Sequence, residues 1–226
     1  MAGCSIHHIG VGVRNQDAVL DVLTAKLGFK EVAVRDSWSD HKVVVKKSGL
    51  AFVVTTCKTA TTSADRTDDG TALEYPDFSY SWRQPFAVKD NDICYTDLNV
   101  PDTVYEVCLE VSDVNQVLAN AISAGAEVIK PFTEVDSEDG RISYAAVRSC
   151  VGNIIHTLVN TQDYRGPFLP GFSSLHEVQS ETNEASDTIG EVTLDHLALC
   201  VSSGKTLDTI RWYEKVFSMP RLLVNK

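Results

Sequence analysis

Three stretches of the chain open in the same way, and this internal repeat constrains the fold more than any other feature. Residues 5–13 (SIHHIGVGV), 103–111 (TVYEVCLEV) and 193–201 (TLDHLALCV) each alternate along a run rich in β-branched residues, the pattern of a strand. A helix-periodic segment follows each one. After the first, Asn15 is placed to cap a helix carrying Leu20, Leu23 and Leu27, and Gly28 stops it. After the second, Val114, Val117, Leu118, Ala121 and Ile122 mark one helix face, with Gly125 as the stop. After the third, Leu207, Ile210, Tyr213, Val216 and Phe217 recur until Met219-Pro220. β-like runs then come at 30–35, 42–47 and 50–56 in the first module, and at 127–135, 141–148 and 153–160 in the second. The repeating unit is βαβββ, one per roughly 90–100 residues. A single curved sheet of this kind cannot bury its own inner face, so such modules pair. The predicted fold class is α+β: two paired βαβββ modules plus an incomplete third.

At 226 residues, this repeat divides the chain into an N-terminal paired-module domain at 1–161, a linker at 162–192, and the start of a further domain at 193–226. The linker's later part carries Glu177, Glu181, Glu184, Asp187 and Glu191 with no Lys or Arg, a self-repelling, solvated composition. The other long connector, 59–102, is polar, with Asp65, Asp68 and Asp69 early and Tyr75, Phe78, Tyr80 and Trp82 later. It is expected to be a partly ordered excursion held by its aromatics. The chain breaks off inside what would be the second strand of the third module, so it is expected to be an N-terminal fragment, a short isoform or an incomplete gene product.

Charge removes several functions. Lys and Arg number 20 against 31 Asp and Glu, a formal net charge of −11, which repels phosphate backbones and argues against nucleic acid as a partner. No apolar run reaches the roughly 20 residues of a membrane span, and no targeting presequence is visible. The compartment expected is the cytoplasm or the mitochondrion. Cys4, Cys57, Cys94, Cys108, Cys150 and Cys200 form no C-x-x-C pair and mostly adjoin apolar runs, so they are expected to be buried thiols. Gly10-Val11-Gly12 lacks the setting of a phosphate loop, no G-x-S-x-G is present, and the Asp65–Asp69 cluster lacks EF-hand spacing. His41 and His176 fall in a turn and in the linker and are expected to be solvated.

Two motifs carry a resemblance. The first is GNIIHTLV at 152–159 followed by YRGPFLPGF at 164–172. The second is LDHL at 194–197 with WYEKVF at 212–217. Together with the βαβββ repeat they resemble the 4-hydroxyphenylpyruvate dioxygenase family of the vicinal-oxygen-chelate superfamily, whose fold is shared with glyoxalases. Within that family the YRGPFLPGF segment is nearer to the dioxygenase-like proteins. The first motif looks like the end of the family's N-terminal domain, and the second like the opening of its C-terminal catalytic domain.

The resemblance implies a chemistry. The family holds Fe(II) with two His and one carboxylate, leaving positions open for the α-keto acid of the substrate and for O₂. His196, the histidine after Asp195, matches the first ligand. The second histidine and the carboxylate belong to a fourth module that this chain does not contain. The complete protein is therefore expected to be an Fe(II) dioxygenase acting on an aromatic α-keto acid such as 4-hydroxyphenylpyruvate, with homogentisate or hydroxymandelate as product. This chain alone is expected to bind no metal tightly and to be inactive. Family members also form homo-oligomers.

His8 and Glu106 sit at the centre of the first two opening strands, and His156 on the last strand of the second module, the places a metal site would use in a paired-module geometry. They offer either a second or vestigial metal site, or a structural histidine at His156 with His8 and Glu106 satisfied by hydrogen bonds or by each other. His7 is expected on the other face of its strand from His8. A non-catalytic role, as a scaffold, dimerisation or small-molecule-binding module, is the alternative. The last roughly 35 residues are too few for a core of their own, so Leu207, Ile210, Trp212, Val216 and Phe217 would be exposed unless they dock, swap or aggregate.

Overall fold

The computed structural model describes residues 4–37, 40–57, 102–175 and 191–221. The expected aromatic excursion and His176 lie outside these residues, apart from Asp102 at the excursion's end. The chain falls into two units. The first comprises Met1–His7, Tyr105–Arg165 and Asp195–Lys226, and the second His8–Val104 and Gly166–Leu194.

The second unit is built from the part of β1 (Cys4–Gly12) that begins at His8, α1 (Gln16–Asp21), β2 (Lys30–Asp36), β3 (Asp40–Lys47) and β4 (Leu50–Cys57). The Asn15 side chain accepts from the Ala18 N–H at 3.1 Å, capping α1 as its sequence position predicts. The helix then widens into a π-helical turn at Val22–Lys26, where the Leu27 N–H reaches back to the Val22 carbonyl. β1 runs parallel to β4, while β4, β3 and β2 pair antiparallel in sequence-reversed order. Phe29, Val43 and Val45 form this unit's core, with Leu20, Leu23 and Phe52 packed against them.

The first unit repeats that topology with β5 (Thr103–Val111), α2 (Val114–Ser123), β6 (Val128–Ser137), β7 (Gly140–Arg148) and β8 (Ile155–Asn160). β5 runs parallel to β8, and β8, β7 and β6 pair antiparallel. The sheet order β6-β7-β8-β5 matches β2-β3-β4-β1 element for element, so the repeat seen in sequence is a repeat of structure. The Asp113 side chain caps α2 through the Gln116 N–H at 2.9 Å. Gly125 ends the helix at φ +80°, a backbone angle that costs glycine little.

The third module departs from expectation. Residues 193–201 carry no strand pairing and are mostly exposed. An alternating pattern makes a strand only where a neighbour accepts its backbone hydrogen bonds, and among the described residues none does. The helix that follows, α3 (Thr206–Phe217), does form. Trp212, Val216 and Phe217 are not exposed: they join the core of the first unit, against Val107, Leu109, Ala145, Val147 and Leu158. Leu207, at 49% exposure, stays outside that core.

Smaller corrections concern the linker, the cysteines and His41. A two-residue strand, β9 (Ser173–Ser174), pairs with β2. Cys108 is buried, but Cys150 and Cys200 are exposed. His41 lies on β3 with its Nδ1 3.1 Å from Asp36, instead of in a solvated turn.

Candidate functional site

In the first unit a partly buried polar seam crosses the largely apolar contact between α3 and the sheet. β8 places His156 and Leu158 on the same face, two residues apart. The pairing of Leu109 with Leu158 aligns that face with Val107 and Leu109 of β5, the face on which α3 packs. The His156 ring meets Phe217 edge-on at 5.2 Å and Tyr213 at 5.5 Å between centroids.

Both ring nitrogens of His156 are engaged. Nδ1 lies 3.3 Å from the Val107 carbonyl and Nε2 lies 2.8 Å from the Tyr213 hydroxyl. A carbonyl can only accept, so Nδ1 carries the proton, and Nε2 accepts from the tyrosine. The Ser149 hydroxyl stands 3.0 Å from the same tyrosine oxygen and accepts from the Val151 N–H at 3.2 Å. With the tyrosine proton committed to His156, Ser149 donates to Tyr213. Burial holds His156 down at about 4, against the upward pull of its Val107 hydrogen bond and the Glu106 charge. Burial pushes Tyr213 up to about 12. This seam is built from neutral groups.

Glu106 projects from the opposite face of the sheet. It precedes Val107 and so points away from α3, where it is buried and accepts from the Thr157 hydroxyl at 2.5 Å. Cys108 shares that parity, and burial raises its thiol well above the ordinary range, with Glu106 and Glu110 adding to the effect. Glu106 and His156 therefore do not converge on one ion. Among the described residues, no third donor in the first unit joins either of them at metal-ligand spacing.

His8 belongs to the second unit. It is buried, with its ring edge-on to Phe168 at 5.2 Å. The YRGPFLPGF segment supplies that partner. Phe168 also stacks edge-on against Phe172 at 5.0 Å and carries the Lys46 ammonium 5.2 Å from its centroid. His7, in the first unit, is half-buried.

His196 lies on the exposed segment that leads to α3. Its Nδ1 is 2.6 Å from the Asp195 carboxylate, and the two side chains are 74% and 94% exposed. A carboxylate on Nδ1 fixes the ring and leaves Nε2 for a metal, an arrangement common among histidine ligands. Among the described residues no further donor stands with this pair at metal-ligand spacing. Among the described residues, an exposed histidine–aspartate pair with no further donor beside it does not make a site that could hold an iron ion. Past His196, Leu199, Val201, Ile210, Tyr213 and Met219 line a shallow apolar groove, with Arg221 bonded to Glu214 at 2.8–2.9 Å at its edge.

Sequence reasoning missed Ser149 and Tyr213. Tyr213 appeared only as one residue of an apolar helix face, and nothing in periodicity separates a hydroxyl that accepts and donates inside a seam from one that reaches solvent.

No family model matches the chain. In sequence it is 37% identical over 123 residues to a 4-hydroxyphenylpyruvate dioxygenase of Caenorhabditis elegans, covering 53% of this chain and 30% of that protein. It is 27% identical over 221 residues to one of Coccidioides posadasii, covering 95% and 50%. A 4-hydroxyphenylpyruvate dioxygenase-like protein of Rattus norvegicus is 31% identical over 196 residues, covering 86% and 43%. The chain thus spans half or less of the length of these curated relatives. In structure it resembles a mutant of 4-hydroxymandelate synthase from Streptomyces coelicolor, with a TM-score of 0.68 and 22% identity, covering 99% of this chain and 55% of that one. The chain is similar in sequence to the 4-hydroxyphenylpyruvate dioxygenase family and has the paired βαβββ fold of the vicinal-oxygen-chelate superfamily.

Proposed function

We propose that this chain is the N-terminal part of an Fe(II)-dependent dioxygenase acting on an aromatic α-keto acid such as 4-hydroxyphenylpyruvate. The complete protein uses one O₂ for oxidative decarboxylation and hydroxylation: one oxygen atom enters the new carboxylate and the other enters the aromatic substrate, with release of CO₂. The supporting observation is the likeness, over 95% of this chain, to a protein of that name. In this reading 1–161 is the N-terminal domain, 162–192 the linker, and 193–226 the start of the catalytic domain, working in the cytoplasm or the mitochondrion. His196 is one iron ligand, oriented by Asp195. His8, Glu106 and His156 have structural roles. The chain by itself does not turn over, because one ligand cannot hold iron against water.

The test compares the 226-residue chain with the longest reading frame that extends it. Both are loaded anaerobically with Fe(II), and O₂ uptake and CO₂ release are followed with 4-hydroxyphenylpyruvate. The extended protein should consume O₂, and His196→Ala should abolish uptake. Turnover by the 226-residue chain would overturn the reading, as would an extended frame lacking a further histidine and carboxylate. The burial of Trp212, Val216 and Phe217 supports a second reading, a self-sufficient module that binds or dimerises without catalysis. Inactivity of both proteins, with a stable fold, would favour it.

A further inference from the structure

The apolar contact between α3 and the sheet of the first unit does not define its own geometry. Trp212, Val216 and Phe217 meet Val107, Leu109, Ala145, Val147 and Leu158, and such burial is non-directional. Two polar ties fix the helix end to α2: Lys215, an exposed side chain, donates to the Ser123 carbonyl at 2.5 Å, and Asn120 donates to the Val216 carbonyl at 3.4 Å. The directed contact between α3 and the sheet's His156 lies inside the seam, from Ser149 through the Tyr213 hydroxyl to His156 Nε2.

We propose that the Ser149–Tyr213–His156 hydrogen-bond chain is a register latch, selecting the one seating of α3 on the sheet and with it the point from which the His196 segment departs. Three of the four residues one helical turn from Tyr213, namely Ile210, Val216 and Phe217, carry no hydrogen-bond donor. A helix slid or rotated by one turn toward any of them leaves the buried His156 Nε2 without a donor. Buried polar groups of this kind serve specificity more than stability, because every alternative packing pays for their loss. The same logic lets a single buried asparagine set the register of a coiled coil. Tyr213 and His156 are positioning residues in this scheme. The inference goes beyond the dioxygenase reading and does not depend on it.

The test uses the full chain labelled with 5-fluorotryptophan. Its three tryptophans are Trp38, Trp82 and Trp212, and the ¹⁹F resonance of Trp212 is assigned with Trp212→Phe. The parent should show one Trp212 resonance. Tyr213→Phe keeps the ring and removes the hydroxyl. It should split or broaden that resonance, and amide exchange across 206–217 should rise about tenfold, the worth of roughly one hydrogen bond, while 140–148 stays protected. A merely apolar role for Tyr213 would leave a single resonance. One sharp Trp212 line with exchange within about twofold of the parent overturns the latch. Should Tyr213→Phe fail to fold, Ser149→Ala decides on the same two readouts, with broadening and faster exchange supporting the latch and their absence overturning it. No readout involves metal or turnover, so failure here is distinct from failure of the proposed function.

Discussion

The Tyr213 hydroxyl of the last helix lies 2.8 Å from Nε2 of His156 on the last strand of the second module, 57 residues earlier in the chain. This contact joins the start of the third module, expected to dock, swap or aggregate, to the last strand of the second module. Its energetics follow from the neutrality of both groups inside an aromatic seam.

Stability should depend on pH through His156. Its ordinary value near 6.5 is held down to about 4 in the fold by burial, so the unfolded chain binds the proton more readily than the native one between those values. The stabilisation from keeping the ring neutral is complete above pH 6.5. It is lost progressively as pH falls toward 4, by about 3 kcal/mol at most. Urea midpoints measured from pH 7.5 to 4 should fall across that window, and His156→Gln should flatten the slope.

Docking of α3 should be costly to undo. Phe217 is 5% exposed and contacts His156, Trp212 and Tyr213. Phe217→Ala should cost about 3–5 kcal/mol from lost burial and the residual cavity. Thermal unfolding would register a drop of several degrees, and limited proteolysis should first cut within 195–217.

Gly140 begins β7 at φ +116°, and a Cβ built there would meet the Asp163 carbonyl oxygen at 2.0 Å. That close approach holds the YRGPFLPGF segment's start against the sheet, since Gly140 bridges Tyr164 and the Arg165 N–H bonds to the Asp139 carbonyl. Gly140→Ala should destabilise by about 2 kcal/mol or more, read as a lowered urea midpoint.

The histidines should separate cleanly by role. His196→Ala removes an exposed side chain and should shift stability by less than about 0.5 kcal/mol. His156→Ala removes a 3%-exposed ring and its hydrogen bonds to the Val107 carbonyl and the Tyr213 hydroxyl, and should cost about 1–3 kcal/mol. Chemical denaturation of both variants distinguishes them, and equal losses would contradict the assignment.

Much of the architecture was legible in the chain itself. Alternation at 103–111 and the spacing of Val114, Leu118 and Ala121 place β5 and α2 where they form, because each signal is local: a strand shows its period of two and a helix its period of 3.6. The cap at Asn15 and the stop at Gly125 were readable for the same reason, whereas the Asp113 cap emerged only in the structure. The residues 193–201 were misread because their pattern matches a strand while its hydrogen bonds require a partner. Cys150 and Cys200 were misread because adjacency to apolar residues does not fix depth.

The sequence by itself determined the repeat, the order of its elements and the likeness to a dioxygenase family. Only the tertiary structure decided which polar residues meet. Glu106, His156 and Tyr213 each have a fixed parity within their own element, but the alignment of those faces depends on register. Glu106 pairs with Ile155 across the parallel strands, which sends His156 to the helix side and Glu106 to the other. A slip of one residue would have brought them together. Register comes from the summed packing of whole faces, and no single position in the sequence records it.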